Sequence, residues 1–116
     1  MLINVRTDNH IQGRETLVTE VTTAVEDSLG RFQPQLTRVE VFLADENSHK
    51  TGDSDKRCTV EARLAGLPPL AATGNGAHLE QAIDGALDKL AALLEHKLGR
   101  LGERKGRTSY SGDAVE

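Results

Sequence analysis

Between Leu79 and Leu101 the apolar residues Leu79, Ile83, Ala86, Leu87, Leu90, Leu94 and Leu101 fall three or four apart. That is the period of an α-helix with one greasy side, and Leu93 and Leu98 widen the stripe. A helix of this length cannot leave such a stripe in water. It must lie across another apolar surface, and the rest of the chain has to supply one.

Two alternating stretches supply it. From Leu36 to Ala44, Val39, Val41 and Leu43 point one way and Arg38, Glu40 and Phe42 the other. After a polar loop over residues 45–55, Cys58, Val60, Ala62 and Leu64 alternate with Arg57, Thr59, Glu61 and Arg63. Both read as half-buried strands. Leu2 to Val5 is a short first strand, and Leu70 to Thr73 a short last one, placed at an edge because prolines precede it. From Glu15 to Phe32, Leu17, Val18, Val21, Val25, Leu29 and Phe32 recur at helical spacing. Gly74-Asn75-Gly76 separates the last strand from the long helix, with Asn75 or Gly76 expected as its N-cap.

The order is β-α-β-β-β-α, an α+β fold. Only two Phe and one Tyr are available as large fillers, so Val, Leu, Ile and Ala must build the core. A core this thin suits two layers, with both helices on one face of a four-stranded sheet. The other face, written in Arg, Glu and Thr, is then open to solvent. The 116 residues fit one domain, expected over 1–105, with a polar disordered tail over 106–116. No apolar run is long enough to cross a bilayer, and the N-terminus lacks the pattern of a secretory signal. A cytoplasmic protein is expected.

Charge is distributed unevenly. Residues 1–55 carry five Lys/Arg against ten Asp/Glu, and residues 56–116 nine against eight. Glu20, Glu26 and Asp27 make the first helix acidic. Lys97, Arg100, Arg104, Lys105 and Arg107, with His96 beside them, make the end of the second basic. Cations at a helix C-terminus are favoured by its dipole. Five within one short stretch exceed that need and suit phosphate binding.

Signs of catalysis are weak. Cys58, the single cysteine, sits in the inward register and reads as a packed core residue rather than a nucleophile. His10, His49, His78 and His96 offer no metal-ligand spacing, so neither metal nor cofactor is expected. Asp84 and Asp88 share a helix face but suit the N-terminal half of a helix without further duty. Gly74-Asn75-Gly76 lacks the cation and spacing of a phosphate loop. The mixed charges of Glu40, Arg57, Glu61 and Arg63 on the open sheet face suit either a polar contact or an ordinary salt-bridged surface. The strand order and the few aromatics exclude an RNA-recognition motif. The order is near that of a double-stranded-RNA domain, but Gly76-Ala77-His78-Leu79 stands where that domain has basic residues.

In the last helix, Ala82-Ile83-Asp84-Gly85, Asp88-Lys89-Leu90, His96-Lys97 and Arg100-Leu101 resemble the second helix of the ribosome hibernation-promoting factor family. That family includes the ribosome-associated inhibitor, or factor Y, and the sigma-54 modulation proteins. The resemblance covers roughly residues 1–105 and takes in Arg38-Val39-Glu40-Val41, Asp45-Glu46-Asn47, Asp55-Lys56-Arg57-Cys58 and Glu61-Ala62-Arg63. It implies a short-form, non-catalytic factor that occupies the decoding channel of the small ribosomal subunit and stops translation during stress or stationary phase. No membrane or small-molecule substrate is implied. Lys89, His96, Lys97, Arg100, Arg104 and Lys105 would contact ribosomal RNA. The acidic first helix, Ala92 and Glu95 depart from the family's basic pattern, which implies weaker and less salt-sensitive binding. The alternative is a protein-interaction module of the same fold that has lost RNA binding and uses the open sheet face.

Overall fold

A computed structural model describes the backbone of residues 1–8, 14–45 and 56–106, and their side chains except those of Arg14 and 100–106. Residues 9–13, the expected polar loop beyond Asp45 and the expected tail beyond 106 lie outside these residues. The elements are β1 (Leu2–Thr7), α1 (Arg14–Leu29), a 3₁₀ segment (Gly30–Gln35), β2 (Leu36–Asp45), β3 (Lys56–Leu64), β4 (Leu67–Gly76) and α2 (Leu79–Gly106). This is the β-α-β-β-β-α order that the hydrophobic periods predict.

The sheet runs β1-β2-β3-β4, with β1 parallel to β2 and the other pairs antiparallel. Alternation then divides its side chains. Val39, Val41, Leu43, Cys58, Val60 and Ala62 are buried on one face. Both helices cover that face: α2 lies over β3 and β4, and α1 lies beside it on β1. Val21, Val25 and Leu29 of α1 meet Leu87, Leu90 and Leu94 of α2 in one core.

Several boundaries differ from the sequence expectation, each for a local reason. α1 stops at Leu29 rather than reaching Phe32. Pro34 disfavours α geometry at the residue before it, so the chain tightens into the 3₁₀ segment, which still buries Phe32. β4 is longer than Leu70–Thr73. It starts at Leu67, because the hairpin turn is only Ala65-Gly66, and Gly66 takes the positive φ of 74° that this tight reversal uses. Pro68 and Pro69 are tolerated because β4 is an edge strand. Asn75 and Gly76 are consumed by pairing with Arg57 and Lys56. The cap therefore moves to His78, whose carbonyl accepts from Ala82 N at 3.2 Å. Gln81 Oε1 reaches back to accept from the backbone of Ala77 and His78, at 3.0 and 3.2 Å. That is the reciprocal half of a capping box.

α2 also continues through Gly99 to Gly106, so positions 104 and 105 are helical and not beyond the helix. Leu, Arg, Lys and Glu around the glycines are strong helix formers and offset their cost. Leu93, expected to widen the apolar stripe, is instead 42% exposed. The tightest approach of the two layers is at Gly74. A Cβ there would collide with the Ala82 carbonyl and come within 2.5 Å of the Ala86 nitrogen.

Candidate nucleic-acid interface

Positions 89 and 96 lie two helical turns apart, so Lys89 and His96 emerge on the same side of α2. With Ala92 and Leu93, and with Ala71, Ala72 and Thr73 of β4, they line an open groove of about 530 Å³. The groove follows the free edge of the sheet. Lys89 does not simply project into water: its Nζ donates to the Thr73 carbonyl at 2.9 Å. This satisfies an edge-strand acceptor and anchors the ammonium at the groove wall. His96 is exposed and Lys97 half-buried. The side chains of Arg100, Arg104 and Lys105 lie outside the described residues, although their backbone continues α2.

Glu95, a departure from the family pattern, meets Arg31 of the 3₁₀ segment at 3.0 Å. Both side chains are 58% exposed, so the pair contributes only tenths of a kcal/mol, but it offsets a negative charge beside the basic stripe. Glu15, Glu20, Glu26 and Asp27 are exposed on α1. The helix layer is therefore acidic on one member and basic toward the end of the other. No positive strip crosses both helices among the described residues.

The open sheet face is ordered in rows. The register sets Arg38 opposite Arg63, Glu40 opposite Glu61, and Phe42 opposite Thr59. Like charges facing each other across strands repel. Relief comes along each strand: Arg38 Nε sits 2.8 Å from Glu40 Oε2, and an Arg63 guanidinium nitrogen lies 3.6 Å from Glu61 Oε1. The Arg38 contact is a charge pair without hydrogen-bond geometry. Glu40 was expected on a solvated face, yet it is only 9% exposed, covered by its own neighbours in the rows. Arg57 and Arg63 are exposed and Glu61 is partly so.

One further residue of this face, Arg6, is not legible in the sequence pattern. β1 runs parallel to β2 with Arg6 beside Phe42, and the Arg6 Cζ lies 5.5 Å from the ring centroid. Phe42 itself was legible as outward in the alternation of β2, with Arg38 and Glu40. Its partner was not, because nothing in the sequence gives the neighbour of a short first strand.

Cys58 is fully buried, and burial pushes its thiol from an ordinary pKa of 9.0 up to about 12. The thiol is protonated at neutral pH, which suits the core residue expected of it. Among the described residues no three His, Cys, Asp or Glu side chains group as metal ligands, and no helix is long and apolar enough to cross a membrane.

Residues 3–102 match the family described as Sigma 54 modulation protein / S30EA ribosomal protein. A ribosomal subunit interface protein from Coxiella burnetii superposes with a TM-score of 0.64 at 15% identity, covering 85% of this chain and 99% of that one. The N-terminal domain of Thermus thermophilus Protein Y gives 0.61 at 21% identity, covering 84% and 99%. No curated protein sequence matches significantly. The two structures share the fold found here, and the family match spans nearly all of it. The chain thus belongs to the sigma 54 modulation protein / S30EA ribosomal protein family, a family of ribosome-associated modulation factors.

Proposed function

We propose that this chain is a non-catalytic factor that binds the small ribosomal subunit and silences translation under stress or in stationary phase. It would do so by filling the path of messenger and transfer RNA. The observation that carries the reading is the family match over residues 3–102, on a chain with the family's element order. Occlusion needs a folded body and cations that reach phosphates. It asks nothing of a nucleophile, and the buried Cys58 thiol is not one.

In this reading Lys89, His96 and Lys97 make phosphate contacts, and Arg100, Arg104 and Lys105 extend them along α2. Lys89 spends one Nζ donor on Thr73 and keeps two for a ligand. Residues 1–105 act as the unit, and the factor works in the cytoplasm, where its ribosomes are.

The acidic surface of α1 favours a second reading, since it repels a polyanion. There the fold serves as a protein-interaction module whose contacts are Glu40, Arg57, Glu61 and Arg63. Sedimentation with purified ribosomal subunits at low and moderate salt separates the two. The first reading expects comigration with the small subunit that weakens as salt rises. No comigration at either salt would sink it.

A further inference from the structure

The open sheet face carries a second group of cations, apart from those of α2. Across the open sheet face stand Arg6, Arg38, Arg57 and Arg63 against only Glu40 and Glu61 among the described residues. This surplus sits on a chain whose formal charge is −4. Both glutamates are met by an arginine of their own strand, so neither presents a bare carboxylate to an approaching anion. Phe42 stands at the centre, 40% exposed. Its row continues through Thr59 and Thr73, whose hydroxyls lie 3.2 Å apart, and Ala44 and Asn75 fill the next row with Arg57. These side chains are short, so the aromatic ring rises above a low polar floor. Arg6 flanks it on β1, and Arg57 lies diagonally across on β3.

We propose that this open sheet face seats a single-stranded segment of RNA, with one unpaired base stacked at Phe42 and Arg6 and the adjoining phosphates held by Arg57 and Arg63. The inference deepens the ribosome-binding reading and rests on it. An aromatic ring and a guanidinium plane both accept a stacked base, and only an unpaired base can reach them. A duplex offers its phosphates but no base face. A protein partner fits less well, because among the described residues Leu2 and Phe42 are the only large apolar side chains exposed on this face, too few for the apolar centre of a stable protein interface.

The chain has two phenylalanines, of which Phe32 is 7% exposed in the core, so their ring signals in NMR report separately. The intact chain is titrated with a uridine dodecamer, a duplex of equal length, inorganic polyphosphate and an acidic peptide. Expected are ring-current shifts at Phe42 with the single strand, none at Phe32, and about tenfold weaker binding for Phe42→Leu, the weight of one stacked base. Arg57→Gln should flatten the salt dependence, while Lys97→Gln should leave the Phe42 shifts in place. An unmoved Phe42 ring at saturation, equal shifts with polyphosphate or peptide, or unchanged affinity in Phe42→Leu overturns the proposal. Sedimentation keeps the two readings apart. If wild type and Phe42→Leu comigrate equally with small subunits across salt, the stacking seat fails and ribosome binding stands. If the oligonucleotide binds as expected but no subunit comigrates, the seat stands and the ribosomal reading fails.

Discussion

The two faces of the sheet are made by alternate residues of the same strands, yet they obey different physics. On the covered face, Val39, Val41, Cys58, Val60 and Ala62 are fully buried, and α1 and α2 seal them from water. One residue along in each strand, Arg38, Phe42, Arg57 and Arg63 remain in solvent to varying degrees. The covered face is a packing surface, where volume decides. The open face is a charge surface, where Arg38 meets Glu40 and Arg63 meets Glu61 along the strands. Changes on the first should therefore cost stability and spare binding per folded molecule, and changes on the second should do the reverse.

The largest test is alkaline. Cys58 has a folded-state pKa of about 12 against an ordinary 9.0, so only the unfolded chain loses the thiol proton between those values. The stability tied to the protonated thiol is complete below pH 9 and declines through the window up to about 12, by roughly 4 kcal/mol at 1.36 per unit. Denaturant melts of wild type and Cys58→Ala at stepped pH should show a steeper alkaline loss in wild type. Parallel curves would remove Cys58 from the sealed face.

Next come packing changes under α2. Leu90 is fully buried, and Leu90→Ala should cost about 3 kcal/mol in a chemical melt. Gly74→Ala should cost roughly 2–3 kcal/mol, because the added methyl meets helix backbone that cannot step aside. Gly85→Ala is its contrast. The new Cβ there meets only the Gly74 Cα, at 3.7 Å, so better helix propensity should leave the protein neutral or stabilised by up to about 1 kcal/mol. If Gly74→Ala and Gly85→Ala behave alike, the close approach is not where the structure puts it.

The smallest stability effect belongs to the open face. Glu61→Gln should move the midpoint by no more than about 0.5 kcal/mol, because its contact with Arg63 is long and partly exposed. The same change raises the positive charge of the face and should strengthen salt-dependent binding to ribosomal particles. A large loss of stability with no gain in binding would erase the distinction between the faces.

Much of this contrast was legible beforehand. The alternation in β2 and β3 assigned Val39, Val41, Leu43, Cys58, Val60, Ala62 and Leu64 to the inside, and all are buried. Periodicity is a local signal, and burial followed it. What failed needed knowledge of neighbours. The cap at His78 depends on how far β4 pairs with β3, and the burial of Glu40 depends on the residues opposite and beside it. Arg6 meets Phe42 only because β1 lies parallel to β2. At the candidate site, the basic end of α2 was plain from charge density. The Lys89 bond to Thr73 and the Glu95 pair with Arg31 join segments far apart in the chain, and no spacing rule reaches across that distance.

The proposed function requires that this fold, seated on the small subunit, exclude the RNAs of translation. Its most direct measurement is competition: small subunits carrying labelled messenger and initiator transfer RNA are titrated with the chain, and both occupancies are followed. Occlusion predicts displacement of the labelled RNA as the chain binds, with a midpoint that rises with RNA concentration. Saturating chain on subunits that still hold both RNAs would contradict it.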